Sequence, residues 1–159
     1  MTREEIQNMN QGTDLNLLVA EHVMKWIAWK EQRGEYTYVI FQRPGEREPY
    51  MRSQRWKNEK ERYEQIRFSE INRNKHIVMG LDEWSNDIPA AFEVIKRMRE
   101  KGYDYVIESL NYSFNAGGDL THVIFFKRLE GDYYEYDSEV SVMHGISICA
   151  LLAVLGEEE

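Results

Sequence analysis

The clearest pattern in the chain lies between Ser85 and Arg128, where a helical period gives way to a two-residue one. Ile88, Ala91, Phe92, Ile95 and Met98 recur at helical spacing, with Val94 on the flank. Ser85, Asn86 and Asp87 each offer an N-cap oxygen, and Pro89 suits the first turn, where its missing N–H costs nothing. Lys96, Arg97, Arg99 and Lys101 place positive charge at the C-terminal end, where the helix dipole favours it, and Gly102 supplies a left-handed stop. Tyr103, Tyr105, Ile107, Ser109 and Asn111 then alternate with Asp104, Val106, Glu108, Leu110 and Tyr112, which reads as a strand. Asn115-Ala116-Gly117-Gly118-Asp119 is turn chemistry, so Leu120 to Arg128 becomes the second strand of a hairpin packed on the helix. Glu130-Gly131-Asp132 marks another turn, Tyr133 to Val142 supplies a third strand, and Gly145 to Leu155 is apolar on nearly every side.

Ahead of this block, Thr2-Arg3-Glu4-Glu5 fits a capping box that opens a short helix ending near Gln11-Gly12. Thr13 or Asp14 caps a longer helix, with Leu15, Leu18, Val19, His22, Val23, Trp26 and Ile27 on one face and Gly34 at its end. His22 has no second histidine at ligand spacing and reads as a hydrogen-bonded residue at the edge of the core. Tyr36 to Phe41 is a strand broken by Pro44-Gly45, and His76 to Met79 is a short strand before Gly80. The order α-β-arm-α-β-β-β-α predicts a single α+β domain over residues 1–159. Its largely antiparallel sheet has about four strands, with helices packed on the faces.

Charge changes this picture in one place. Between Met51 and His76 stand eight basic residues against four acidic ones, a surplus of four in a chain whose net charge is −8. The stretch, about 50–76, reads as an inserted basic arm, helical in part, with Trp56, Lys60, Tyr63 and Arg67 sharing a face. The acidic remainder argues against affinity for nucleic acid polymers or anionic membranes. With no signal peptide ahead of Thr2 and a last apolar run too short to span a bilayer, a soluble intracellular protein is expected. The one cysteine, Cys149, lies in the most apolar segment, so no disulfide framework is available and a buried small hydrophobe is expected.

The arm carries the best candidate chemistry. Arg52, Arg55, Lys57, Lys60 and Arg62 supply cationic donors for phosphate, while Trp56, Tyr63 and Phe68 supply flat faces for a base. A nucleotide-sized phosphorylated ligand is the expected guest, set against the plainer reading of a solvated, salt-bridged surface. His122, Asp119, Asp137, Glu139 and His144 are the residue types of a zinc or manganese site, without a fixed ligand motif. No phosphate-cradling loop and no nucleophile elbow is present, so the expectation is a protein without catalytic activity or cofactor. Helix, three strands, helix is also the order of a double-stranded-RNA-binding domain. The basic start of that module's last helix is replaced here by Val142-Met143-His144-Gly145. The all-round apolar last helix needs cover on several sides, from the N-terminal helix or from a second subunit, and a homo-oligomer is expected.

Asp87 to Gly102, read D-I-P-A-A-F-E-V-I-K-R-M-R-E-K-G, resembles a signature of the phage ABA sandwich domain family, and so does the ending Ile146 to Leu155. The opening Thr2 to Ile6 and Val19 to Met24 are similar to that family's N-terminal part, whereas the basic arm departs from its shorter pattern. The resemblance implies a phage or prophage origin, action in the host cytoplasm and helices packed on a sheet. It implies no reaction. Three functions follow as expectations. The first is a binding protein that sequesters a phosphorylated host signal or blocks a host defence protein. The others are a subunit-interaction module of phage complexes and a metal-dependent phosphoesterase.

Overall fold

A computed structural model describes residues 1–50, 63–111, 119–128 and 131–156. The fold is α+β, with the strands divided between two sheets rather than gathered in one. The backbone forms two compact units, residues 24–81 and residues 1–23 together with 82–159.

The unit of residues 24–81 is a mixed sheet in the order β3-β1-β2-β4, made of β1 (Ile27–Arg33), β2 (Tyr36–Gln42), β3 (Tyr63–Ile66) and β4 (His76–Val78). The strand β1 replaces the second half of the long helix predicted from Leu15 to Gly34. Helical backbone stops after α2 (Thr13–Leu18) and a wider π-helical turn at Val19–Val23. Lys25 then takes φ 57°, a left-handed setting that redirects the chain. From Ile27 onward a hairpin with β2, pairing Ile27 with Gln42 through Arg33 with Tyr36 around Gly34, satisfies the backbone instead. A short apolar run fits either period, and here cross-strand pairing wins. His22 sits on the π turn, its Nε2 3.4 Å from a Glu21 oxygen.

Val39, Ile40 and Phe41 are consecutive and all buried, so β2 is covered on both faces. Phe41 lies 6.0 Å from the Trp26 ring and 5.8 Å from that of Phe68. Part of the predicted arm helix is also strand. Tyr63–Ile66 pairs antiparallel with β1, and a single 3-10 turn follows at Phe68–Glu70. Tyr63 is buried, Glu64 and Gln65 are exposed and Ile66 is half-buried, so burial along this short edge strand does not follow the simple alternation of a pleat. The short strand expected at His76 is present as β4, parallel to β2.

The other unit is built around α4 (Val142–Gly156), buried continuously from His144 to Val154. Its jacket comes from this chain. Strands β6 (Asp119–Phe126) and β7 (Tyr133–Ser138) cover one side, while α3 (Ile88–Glu100), the π turn, α2 and α1 (Arg3–Gln7) take the others. The apolar character of α4 therefore calls for no second subunit. Together with β5 (Asp104–Asn111), β6 and β7 form the antiparallel sheet β5-β6-β7.

The caps of α1 and α3 follow the sequence, whereas α2 starts from Gly12 with no side-chain cap, and Thr13 and Asp14, expected as caps, lie inside its first turn. Thr2 and Glu5 close a capping box on α1, and Asp87 Oδ2 accepts from Ala90 N at 3.1 Å on α3. Ser85 works elsewhere. Its N–H donates to Asn16 Oδ1 at 3.0 Å, and its hydroxyl accepts from Gly12 N at 2.9 Å, tying α3's entry to α2. On α3 the buried face is Ala91, Val94, Ile95 and Met98, whereas Ile88 and Phe92 stand outside it, 54% and 55% exposed. Among the described residues no helix is long and apolar enough to cross a membrane.

Candidate functional site

Alternation along β6 and β7 divides their side chains between two faces. Val123, Phe125 and Ser138 are buried on the α4 side, where Gly145 packs against Val123 and Ser138. Cys149 Sγ on α4 lies 3.2 Å from the Tyr134 carbonyl and 3.4 Å from that of Val123. Removal from water pushes this thiol up to about 12. Native protein should therefore resist iodoacetamide at pH 8, with alkylation appearing only in denaturant; modification at the rate of a free thiol would contradict the buried placement.

His144 completes the inner side. Its Nε2 is 2.7 Å from the Met9 carbonyl, which can only accept, so the ring carries its proton there. Nδ1 then accepts from Ser138 Oγ at 3.0 Å, and that hydroxyl in turn accepts from the Val140 and Ser141 N–H groups. Both ring nitrogens of His144 are engaged, tying the segment that follows α1 and the end of β7 to α4.

The outer face is different. Val106, Ile124 and Phe126 are half-buried there, Tyr133 is 53% exposed, and they line a shallow basin of about 450 Å³ with Lys127, Arg128, Gly131 and Asp132. Arg128 Nε pairs with Asp104 Oδ2 at 2.6 Å across its rim, and Lys127 Nζ sits 4.9 Å above the Tyr103 ring. At the opposite end a polar row crosses the sheet, because register sets Glu108 beside His122 and His122 beside Asp137. His122 Nδ1 contacts Asp137 Oδ1, its Nε2 lies 3.9 Å from Glu135 Oε2, and Glu135 accepts from the Tyr133 hydroxyl at 2.8 Å. An imidazole held by a carboxylate has a defined tautomer and presents Nε2 as a polar contact. Among the described residues no hydroxyl or thiol bonds to His122, and no three histidine, cysteine or carboxylate side chains converge on a metal position.

Of the five residues considered for a metal, the fold thus brings His122 and Asp137 together. His144 is fixed on the inner side, Glu139 is exposed just beyond β7, and the side chain of Asp119 lies outside the described residues.

Among the arm residues, Arg52, Arg55, Trp56, Lys57, Lys60 and Arg62 lie outside the described residues. Tyr63 is placed, and it serves a buried polar cluster. Its hydroxyl donates to Glu31 Oε1 at 2.7 Å, and Arg33 Nη2 meets Glu31 Oε2 at 2.5 Å with the Glu31 side chain 3% exposed. The Arg33 guanidinium also lies 4.8 Å from the Tyr38 ring centroid. Its hydrogen bond to Glu31, reinforced by the carboxylate charge, raises Arg33 above its ordinary value against the opposing cost of burial.

Glu31 and Arg33 are the polar residues that sequence reasoning passed over, because they fell inside a predicted helix. Two residues apart on a strand they share a face, and that spacing is the signal which strand periodicity would have exposed. Comparison with protein-family models, with curated proteins and with solved structures found no match to this chain.

Proposed function

We propose that this is a non-enzymatic phage accessory protein that acts by binding in the host cytoplasm, with the outer face of β5-β6-β7 as its contact surface. The observation that carries the reading is the half-exposed apolar row Val106, Ile124 and Phe126, with Tyr133 beside it, on a sheet face that no described helix covers. A contiguous apolar patch bordered by charge is what protein contact surfaces present. The basin is broad and shallow rather than enclosing, which favours blocking a host defence protein over sequestering a small molecule. The phage assignment rests on the resemblance of Asp87 to Gly102 and of the C-terminal helix to the ABA sandwich family. The sequestration form of the reading rests on the basic composition of the arm.

A photo-cross-linking residue at position 133 tests the proposal in living host cells. We expect a covalent adduct with one discrete host protein, competed away by the unmodified chain and not by an Ile124→Arg variant of it. Calorimetric binding of a nucleotide, without any adduct, would transfer the function to the arm. Neither adduct nor nucleotide binding would remove the proposal.

A further inference from the structure

Register fixes which side chains face one another on the outer side of β5-β6-β7, and their chemistry changes from one end of that face to the other. At the basin end Phe126 lies between Asp104 and Tyr133, and in the next row Ile124 lies between Val106 and Glu135. One row further on, His122 lies between Glu108 and Asp137. Rows are about 7 Å apart along the strands, and neighbouring strands about 5 Å apart.

The two ends differ in charge balance. At the basin, Lys127 and Arg128 stand against Asp104 and Asp132, and Asp104 already holds Arg128 at 2.6 Å. Around His122 there is no such match. Glu108, Glu135 and Asp137 are all exposed there, and Glu139, exposed just beyond β7, adds to them. Even with His122 protonated, two of these first three carboxylates are in excess. Glu108 has no hydrogen bond or ion pair among the described residues.

Taking the outer face as the contact surface proposed above, we infer that its partner is a cationic protein segment. One apolar side chain of that segment seats against Ile124 and Phe126, and an arginine or lysine about 7 Å away lies over Glu108, Glu135 and Asp137. Burial in the basin supplies affinity, and the carboxylates supply orientation, since a reversed segment would set its cation beside Lys127 and Arg128. Arginine is the better fit, because its planar fork can bridge neighbouring carboxylates. Other occupants leave charge uncompensated. An acidic segment or a nucleic acid would bring like charge against the row. A second copy laid on this face would offer its own Lys127 and Arg128, and Arg128 is already spoken for by Asp104. A small ligand finds no enclosure in so shallow a basin.

Charge variants of the full chain, each carrying the photo-cross-linking residue at position 133, test this in host cells. Glu108→Gln should lower the adduct yield about threefold and Glu108→Lys about tenfold, as expected for removal and reversal of one exposed charge at a contact. Glu93→Lys, on α3, changes the net charge as much as Glu108→Lys and should leave the yield as it was. Circular dichroism should be the same for all of them, since Glu93 and Glu108 are exposed. Mass-spectrometric mapping should place the cross-link in a partner segment of net positive charge. An adduct that forms equally well with Glu108→Lys, or that maps to a segment without positive charge, overturns the cationic partner and leaves the outer face as the contact surface. No adduct from the parent chain removes the contact surface itself, and the cationic partner with it.

Discussion

Arg33→Met should lower the stability of the protein by about 3 kcal/mol, the loss expected when one partner of a buried ion pair is removed. The Glu31 carboxylate is 3% exposed and would keep the Tyr63 phenol while losing the guanidinium that balances its charge. Arg33 itself is 31% exposed, which places the effect at the lower end of what such pairs show. Tyr63→Phe should cost about 2 kcal/mol, the value of a hydrogen bond to an ionised group. The two changes together should cost less than their sum, because both act on one carboxylate. Lys30→Ala removes the exposed Lys30–Glu64 pair on the same strands, held at 2.6 Å with side chains 36% and 67% exposed. It should cost no more than about 0.5 kcal/mol. Urea denaturation midpoints at constant slope are the measurement. If Arg33→Met and Lys30→Ala fell together, Glu31 would have to be hydrated rather than buried. Replacing Glu31 and Arg33 jointly by leucine and methionine should restore most of the loss, since an apolar pair leaves no charge behind.

Gly145→Val should be comparably damaging for a steric reason. A Cβ at position 145 would stand 2.9 Å from Val123 Cγ2 and 3.2 Å from Ser138 Cβ. Val123 is fully buried and branched at Cβ, so it has no free rotamer to swing into. Two opposing terms decide the alanine variant. Exchange of a helical glycine for alanine gains about 1 kcal/mol of intrinsic helix preference, whereas overpacking a core costs about 1–3 kcal/mol. Gly145→Ala should therefore be destabilising by only about 1 kcal/mol, and valine, which adds two methyl groups and loses the preference gain, by about 3 kcal/mol. A thermal melt separates the outcomes. An alanine variant more stable than wild type would mean that α4 can slide on the sheet, contrary to its close seating here.

The parts of the fold that were legible in the sequence are those in which local signals agree with one another. Asp87, Pro89 and Gly102 bracket α3 from both ends, and the alternation in β5, β6 and β7 is long enough to leave one reading. The region after Val19 was misread because local and tertiary preferences diverge there. Leu15 to Ile27 keeps an apolar 3.6-residue period, yet the π turn and the left-handed Lys25 break the helix, and both are features of backbone rather than of residue type. Burial along α3 shows a related limit. Periodicity placed Ile88 and Phe92 in the core stripe, but the buried face of α3 is Ala91, Val94, Ile95 and Met98, and Ile88 and Phe92 stay exposed. His122 and Asp137 were recognisable as chemistry-bearing types. Their pairing was not, because it depends on the register between β6 and β7, which the turn holding Gly131 sets from a distance.

The division of the chain also bears on how it acquires its structure during synthesis. Residues 24–81 form a contiguous run with a sheet of their own, so this piece can settle while the remainder is still being translated. Residues 1–23 wait for partners that begin at position 82, and the helix that fills their common interior, α4, comes off the ribosome after every strand it must bury. Closing so long a loop is slow relative to forming the local hairpins. For that interval Ile6 of α1, Leu15 and Leu17 of α2 and Val19 of the π turn stand exposed to solvent, and a chaperone has its best opportunity there.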